Sequence, residues 1–440
     1  MKAIVKFLGG AGVFLVAAAA LVWALNVRDE VNVDVDLDVD AKAPVASVVL
    51  SQTQLARGAY LARAGNCMTC HTARGGERYA GGRAIETPFG TVYTSNLTPD
   101  EKTGIGSWTP AHFWRAMHNG RSKSGRLLYP AFPYTNYTQV TREDSDALFG
   151  YLHSLPAIVQ PNQAHAIQIP FQSQAALAVW RALYFSPGVY KPEPGRSVEW
   201  NRGAYLVKGL GHCSACHTAR NALGATKEGF DLAGGLIPIQ NWYAPSLVSP
   251  LEAGVGEWGG EEIVSLLKNG VSAHASVAGP MTEVVLGSTQ YLSGEDLGAM
   301  AQYLKELPPS VSAADKTPPL ATAVSTRNTN TTKGGKLYEQ HCAQCHGNAG
   351  QGVANAYPPL AGNRAVTMKQ TTNLVQIVLN GGYAPATEGN PRPYGMPPFV
   401  LVLDDNDIAA VLTHIRSAWG NQGSNVSVLE VNRVRANQSR

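Results

Sequence analysis

The sequence predicts a mainly α-helical chain of three tandem domains with long loops, preceded by an apolar helix at the N-terminus. Three observations support this fold class. One pentapeptide pattern, Cys-x-x-Cys-His, occurs three times at widely separated positions. The chain has 440 residues, which is enough for three domains of the usual ~100 to 200 residues each. Its 45 glycines and 27 prolines favour short helices joined by long loops.

Each pentapeptide has the pattern that attaches a c-type haem covalently. The two thiols add across the haem vinyl groups, and the adjacent histidine binds the iron. A single Cys-x-x-Cys is also compatible with half of a zinc site or a redox dithiol. Here all six cysteines fall within the three patterns and each pattern ends in His, which favours three covalently bound haem c groups. The predicted thioether cysteines are Cys67, Cys70, Cys213, Cys216, Cys342 and Cys345, and the predicted iron ligands are His71, His217 and His346.

The N-terminal segment, residues 1–28, has two lysines followed by an apolar stretch from Phe7 to Leu25. This order is typical of an export signal, and the stretch approaches the ~20 residues that span a bilayer. No clean small-x-small cleavage site precedes Asn26, so a retained membrane anchor is favoured over a cleaved signal. Both interpretations place the domains in the periplasm. Residues 29–50 contain alternating apolar and acidic positions and are interpreted as a strand or as an extended spacer.

The first two domains repeat one plan. Both open with Arg-Gly-Ala-Tyr-Leu, at Arg57 and at Arg202, and both continue with Cys-His-Thr-Ala through the pentapeptide. Both close with an amphipathic helix that has acidic residues in its first turn, and Thr141 is the predicted N-cap of the first of these helices. We interpret this as internal duplication of one haem-binding unit. The predicted boundaries are 51–160 for domain one, 161–198 for a linker and 199–310 for domain two.

The third domain, residues 332–420, keeps the same order with a looser match. Gly335-Lys336-Leu337-Tyr338 leads into its pentapeptide, and a helix from Asp405 to Ile415 closes it. Residues 311–331 are rich in Pro, Ala, Ser, Asn and Thr and are predicted to be an extended tether. The apolar segment Ala175 to Phe185 in the earlier linker is expected to pack against a neighbouring part of the protein. The polar tail, residues 421–440, is interpreted as disordered or as lying on a partner's surface.

In electron-transfer cytochromes c a methionine thioether commonly fills the second axial position of the iron. Met281 and Met396 lie in turn-rich segments between a pentapeptide and its closing helix, so they are predicted to bind the second and third irons. The matching segment of domain one carries Phe132, which cannot bind iron. There the first haem is five-coordinate or takes an unusual ligand, for which Met117 is the remaining methionine. The nearby histidines are interpreted as surface or hydrogen-bonded side chains: His112, His118 and His153.

With these residues in view, the chain resembles the three-haem, class I cytochrome c subunits of membrane-bound periplasmic dehydrogenases, which act on alcohols, aldehydes or gluconate. The resemblance covers nearly everything from Leu55 to Gly420, and it includes Tyr79-Ala80-Gly81-Gly82 and Ser417-Ala418-Trp419-Gly420 besides the pentapeptides. The family often has Met where this chain has Phe132. The Phe version is more similar to subunits of molybdenum-containing aldehyde dehydrogenases than to subunits of quinoprotein alcohol dehydrogenases, so an aldehyde dehydrogenase is the favoured complex.

The resemblance implies an electron-transfer and quinone-reducing subunit rather than the substrate-oxidising one, at the periplasmic face of the bacterial inner membrane. Its implied partners are a catalytic dehydrogenase subunit, molybdenum-containing or quinoprotein, ubiquinone, the membrane and, in some complexes, a small iron–sulfur subunit. With 15% charged residues and a net charge of +3, nucleic acid is not an expected partner.

Two other functions are compatible with covalent haem. A haem peroxidase or gas-binding sensor would use an open first haem, but Phe132 supplies none of the polar groups that peroxide cleavage requires. A mobile periplasmic electron carrier is the other. The sequence has no pairing of a nucleophile with a base and no phosphate-binding loop, so substrate chemistry by this chain itself is not predicted.

Overall fold

The computed structural model describes residues 2–27, 51–227, 229, 231–273, 275–309, 332–354 and 356–437, with side chains described from residue 13 onward. The predicted spacer over 29–50 and the predicted tether over 311–331 lie outside these residues. The chain forms two compact units. The first is Met1–Pro192 with Lys208–His212, and the second is Glu193–Val207 with Cys213–Arg440.

The first unit contains seven of the helices in the described part of the chain and one small sheet. The helices are α1 (Lys2–Val27), α2 (Gln52–Ala64), α3 (Cys67–Cys70), α4 (Pro110–Asn119), α5 (Tyr134–Tyr137), α6 (Arg142–His153) and α7 (Gln174–Tyr184). The strands β1 (Ala84–Thr87), β2 (Gly90–Tyr93) and β3 (Ala166–Ile167) pair antiparallel in that order, with Ile85 opposite Val92 and Gly90 opposite Ile167. The predicted N-cap of α6 is confirmed, because the Thr141 hydroxyl accepts the backbone N–H of Asp144 at 3.2 Å.

The second unit carries the remaining described helices and two hairpins. The helices are α8 (Val198–Lys208, whose last residue belongs to the first unit), α9 (Ser214–His217), α10 (Gly260–Asn269), α11 (Pro280–Gly287), α12 (Gly294–Lys305), α13 (Lys333–His341), α14 (Ala343–His346), α15 (Arg364–Thr367), α16 (Thr372–Asn380), α17 (Asp405–Ser417) and α18 (Val428–Ala436), with a 3-10 turn at Thr289–Tyr291. The hairpins pair β4 (Gly235–Ile237) with β5 (Trp242–Ala244) and β6 (Gly382–Tyr383) with β7 (Gly395–Met396).

One helix arrangement occurs three times. In each copy an opening helix crosses a closing helix at a glycine, and the two backbones come so close that no side chain fits between them. A Cβ on the glycine would lie 2.0 Å from Ala147 O at Gly58, 2.0 Å from Ala299 O at Gly203 and 2.2 Å from Ala410 O at Gly334. The helix crossing at a glycine is therefore common to all three copies.

The residue before each crossing glycine carries a positive charge and pairs with an aspartate at the third position of the closing helix. The pairs are Arg57 with Asp144, Arg202 with Asp296 (2.7 Å) and Lys333 with Asp407 (2.7 Å). Asp144 is buried and Asp296 nearly so, whereas Lys333 is well exposed. The ion pairs thus fix which turn of the closing helix faces the glycine, most firmly in the first two copies.

The C-terminal segment corrects one prediction. Residues 421–437 are not a loose tail, because helix α18 starts at an N-capping Ser427 and buries Val431 and Val434 in the core of the third copy. Arg435 of this helix also forms an ion pair with Asp405 of α17 (2.6 Å). Two buried valines among polar residues are too weak a periodic signal for the sequence to reveal this helix.

The linker helix α7 bears out the expectation that its apolar segment packs against a neighbour. Leu177 and Arg181 are buried, and the helix lies against α1. Among the residues whose side chains the structure describes, no helix has both the length and the apolar composition needed to cross a bilayer.

Candidate functional site

Each pentapeptide folds into a single tight turn. The backbone N–H of its histidine donates to the carbonyl of its first cysteine, from His71 to Cys67 (2.9 Å), from His217 to Cys213 (2.9 Å) and from His346 to Cys342 (3.0 Å). None of the six cysteines is paired with another in a disulfide. The turn therefore presents two thiols and one imidazole from five consecutive residues in each copy.

The imidazole has the same orientation in all three copies. Its Nδ1 lies at hydrogen-bond distance from a backbone carbonyl: Ser95 for His71 (2.7 Å), Pro245 for His217 (2.7 Å) and Pro358 for His346 (3.0 Å). A carbonyl only accepts, so Nδ1 carries the proton and Nε2 is left with a lone pair for a metal. Burial lowers the pKa of each of these histidines, against a smaller opposing effect of the carbonyl, which favours the neutral ligand form.

The cysteines do not have the character of redox-active thiols. Burial raises the pKa of Cys67 and of Cys213 to about 12 and that of Cys342 to about 11, and the neighbouring cysteine of each motif adds to the effect. Reactive dithiols show lowered pKa values instead. Within the described ranges, no group of three or more His, Cys, Asp or Glu side chains is arranged to hold a metal ion. The set of two cysteines and one oriented imidazole in five consecutive residues fits a covalently attached haem better than a zinc ion or a redox dithiol.

An arginine braces the turn in the first two copies, which sequence reasoning did not identify. Arg83 donates to the carbonyl of Thr69 (2.8 Å), and Arg220 donates to the carbonyl of Ala215 (2.6 Å). Thr69 and Ala215 occupy the same position within their pentapeptides. The two arginines come from different places in the repeat, so no sequence alignment of the copies would have matched them.

The predicted methionine ligands lie on regular elements rather than in irregular loops. Met281 is the second residue of helix α11, which corrects the prediction of a loop. The helix starts there because Pro280 suits a first helical position and Gly279 (φ 55°) turns the chain against Trp242. Met396 is in β7, opposite Gly382. Both side chains are half-buried, and their assignment to the second and third irons stays a prediction.

The Phe132 segment lies close to the first pentapeptide. The Phe132 ring is 5.3 Å from the ring of Tyr137, and the Tyr137 hydroxyl donates to the carbonyl of Gly65 (3.3 Å), two residues before Cys67. Burial raises the pKa of Tyr137. An aromatic pair thus stands near the first motif, in the segment where the other copies have methionine.

The three histidines near the first motif have protein partners, as the sequence interpretation expected. His112 accepts the N–H of Thr109 at the start of α4 (3.2 Å). His118 donates to the carbonyl of Thr138 (2.9 Å), and His153 donates to that of Ile105 (2.9 Å). Met117 is buried on α4.

Known proteins are similar to this chain over most of its length. The cytochrome c family profile matches residues 55–156 and 331–419. The cytochrome c subunit of alcohol dehydrogenase (quinone) from Gluconacetobacter polyoxogenes is 40% identical over 407 residues, covering 90% of this chain and 86% of the relative. The gluconate 2-dehydrogenase cytochrome c subunit of Pantoea cypripedii is 37% identical over 378 residues, covering 83% and 85%. A subunit of nicotinate dehydrogenase from Pseudomonas putida is 40% identical over 415 residues, covering 92% of this chain and 33% of the relative.

Proposed function

The chain belongs to the family of cytochrome c subunits of dehydrogenase complexes, and we propose that it carries three covalently bound haem c groups, one at each pentapeptide. Its role in such a complex is electron transfer. The observation that carries the proposal of three haems is the orientation of three imidazoles by three backbone carbonyls in three equivalent helix arrangements. The second copy has every one of these features, including the Arg202–Asp296 pair and the Gly203 crossing.

The residues divide the work of holding each haem. The two thiols of a motif would form the thioether bonds, and the Nε2 of its histidine would bind the iron. The haem supplies a reversible one-electron change at that iron. Burial keeps these imidazoles neutral, and the carbonyls of Ser95, Pro245 and Pro358 fix their orientation and place the proton on Nδ1. Met281 and Met396 would occupy the opposite side of the second and third irons, where a thioether raises the potential.

The proposed electron path runs from a catalytic dehydrogenase subunit, through this chain, to ubiquinone. One of the relatives is named as a quinone-dependent alcohol dehydrogenase subunit, which supports a quinone acceptor. The relatives' names mention alcohol, gluconate and nicotinate, so the aldehyde dehydrogenase interpretation, with its molybdenum-containing and iron–sulfur partners, stays a prediction. We place the complex at the periplasmic face of the inner membrane, with α1 as the anchor, because the described side chains of α1 carry no charge.

The haem count tests the proposal directly. Protein produced with the haem-attachment machinery is expected to have the intact mass of the chain plus three haems after denaturation. Replacing Cys342 and Cys345 together with Ser should remove one haem and leave two. Met68→Leu, a change inside the first motif at a position that binds nothing, is the matched control and should retain all three. A wild-type mass with fewer than three haems would refute the assignment.

A further inference from the structure

Asn26, the last but one residue of α1, is held by three residues from two other parts of the first unit. Its side-chain Nδ2 donates to the carbonyl of Ala178 on α7 (2.9 Å) as well as to Val22 within its own helix (2.8 Å). Its Oδ1 accepts from Nε of Arg181 (3.0 Å), and its backbone carbonyl accepts from Arg121 (3.0 Å). The amide is buried and each of its polar atoms has a partner, so the end of α1 is docked rather than resting on the surface.

Arg181 is the residue on α7 that receives this contact. It is only 4% exposed, and it also donates to the carbonyl of Asn119 and lies over the rings of Tyr134 and Phe185 at 5.4 and 4.7 Å. A buried guanidinium requires acceptors for its N–H groups, since an unsatisfied one is costly. Removal of α1 would remove Asn26 Oδ1, which accepts the hydrogen bond from Nε of Arg181. The folded first unit therefore includes α1 as a structural part.

The outward faces of the two docked helices are apolar. On α1, Val13, Phe14, Leu15 and Val16 are each 67–72% exposed. On α7 the residues Ala175, Val179 and Leu183 recur every four positions and form an exposed stripe. The only charged residue of α7 is the buried Arg181. The two helices therefore present one uncharged surface on either side of the Asn26 contact.

The geometry of α1 selects the kind of partner for this surface. Consecutive helical residues point about 100° apart, so four consecutive exposed apolar residues face every side of the helix. A groove on a protein covers one side of a helix, whereas lipid covers all of them. The partner that fits residues 13–16 is thus the apolar region of a bilayer, and the stripe of α7 is joined to α1 at its docked end.

We propose that α1 and α7 form one membrane-binding element, in which Asn26 and Arg181 lock the helices together and Ala175, Val179 and Leu183 enter the lipid boundary beside α1. This inference rests on the proposed anchoring by α1 and adds a second contact surface and its lock. It also requires that α1 stays attached in the mature protein, because Asn26 on α1 forms one half of the lock.

A single introduced thiol tests the lipid contact. All six native cysteines belong to the pentapeptides, so in haem-loaded full-length protein Val179→Cys supplies a unique site for an environment-sensitive fluorophore. With vesicles of phosphatidylethanolamine and phosphatidylglycerol, emission from this site is expected to shift to the blue and brighten. Val159→Cys is the matched control: this valine of the same unit is 75% exposed but lies outside both helices, and its label should not respond. Phe14→Cys reports on α1 itself.

The outcomes separate the two claims. A response at Phe14 without one at Val179 would overturn the α7 contact and leave anchoring by α1 intact. No response at either position would overturn both the α7 contact and the anchoring by α1. Both claims would also fail if the intact mass of the mature protein showed that the chain had been cleaved after Asn26. An equal response at Val159 would show that the label detects vesicles at any exposed position, and it would overturn the claim that α7 forms a specific lipid contact.

Two further variants test the stripe and the lock. Val179→Glu combined with Leu183→Glu changes exposed side chains only, and it should lower the fraction of protein that floats with vesicles by about tenfold, because charge is excluded from the lipid boundary. Asn26→Ala should speed amide hydrogen exchange in residues 178–185 while the haem absorption spectrum is unchanged. Unaltered flotation of the double variant would overturn the contact, and unaltered exchange in Asn26→Ala would overturn the lock.

Discussion

At the scale of single residues, the orientation of the three pentapeptide histidines depends on backbone carbonyls that lie outside the pentapeptides. Two of these carbonyls belong to prolines, Pro245 and Pro358, and the third belongs to Ser95. Proline has a fixed φ, so the carbonyl of that residue is held in place with less conformational cost. The tautomer of each histidine is thus fixed by a backbone carbonyl that lies 12 to 28 residues later in the sequence.

The methionine assignments lead to a prediction at this scale. Met281→Ala and Met396→Ala should each remove the sulfur-to-iron absorption feature of one haem and lower its potential, by on the order of 0.1 V, a fraction of the ~0.8 V range that axial ligands set. Redox titration followed by visible absorption measures both effects. Met368→Leu is the control, because Met368 is a buried core residue that is not a predicted ligand. The absorption spectrum of this variant should be unchanged. An unaltered spectrum for either alanine variant would exclude that methionine as a ligand.

At the scale of elements, the helix crossing is the part of the repeat that tolerates least change. Gly203→Ala would bring a methyl group to 2.0 Å from the carbonyl oxygen of Ala299, a backbone atom that cannot move aside alone. We expect a loss of about 1–3 kcal/mol in the free energy of unfolding, as for overpacked interiors. Gly298→Ala is the matched control, because this glycine inside α12 has nothing within 4 Å of an added Cβ, and that change should stabilise by about 0.5–1 kcal/mol. Thermal unfolding of both variants measures the difference, and equal melting temperatures would show that the crossing is not tight.

Helix α17 provides a prediction about pH. Burial lowers the pKa of His414, which packs between Tyr338 and Trp419. The folded protein therefore holds this side chain neutral, whereas the unfolded chain takes up a proton below about pH 6.5. Above about pH 6.5 neither state is protonated at His414, so the free energy of unfolding is not reduced. It decreases as the pH falls below the unfolded-state pKa toward the lower folded-state pKa of His414.

His414→Phe keeps a ring at this position and removes the titration. Between about pH 7 and pH 5 the melting temperature of the variant should fall less than that of the wild type. The comparison isolates one group, because all the other titrating groups are common to both proteins. Parallel pH curves would show that His414 does not carry the effect.

Some features of these elements can be predicted from the sequence, and others cannot. The pentapeptides, the opening and closing helices and the N-cap at Thr141 follow from local patterns, since covalent spacing and helix periodicity are encoded in neighbouring residues. The bracing contacts of Arg83 and Arg220 and the buried contact of Asn26 with Arg181 join residues between 5 and 155 positions apart without any repeating signal. The carbonyl partners of the histidines are hidden for the same reason. Helix α18 was missed because its stability comes from burying two valines against the third copy, not from its own pattern.

At the scale of the whole molecule, the second and third copies are joined within one unit. The side chain of Asn373 accepts the N–H of Tyr243 (2.8 Å) and donates to its carbonyl (2.7 Å), as a strand neighbour would. Arg364 donates to the carbonyl of Gly254 (2.8 Å). These bonds extend the edge strand β5 onto α16, so the two copies share a fixed interface. The second and third pentapeptides, which would hold two of the proposed haems, therefore belong to one packed unit.

The first copy is predicted to differ from the others in the coordination of its proposed haem, and this difference is measurable on the whole protein. The aromatic pair of Phe132 and Tyr137 near the first motif offers no ligand atom to an iron, because Phe132 has none and the hydroxyl of Tyr137 is bound to Gly65. We therefore expect carbon monoxide to bind the reduced protein at one haem in three, read from the difference spectrum and the pyridine haemochrome content of the same sample. Phe132→Met should place a thioether in this segment, abolish carbon monoxide binding and give the first haem the sulfur-to-iron feature of the other two. Phe132→Leu is the control for the loss of the ring alone and should still bind carbon monoxide. If the wild type binds none, the first iron has a sixth ligand, and buried Met117 becomes the residue to replace next.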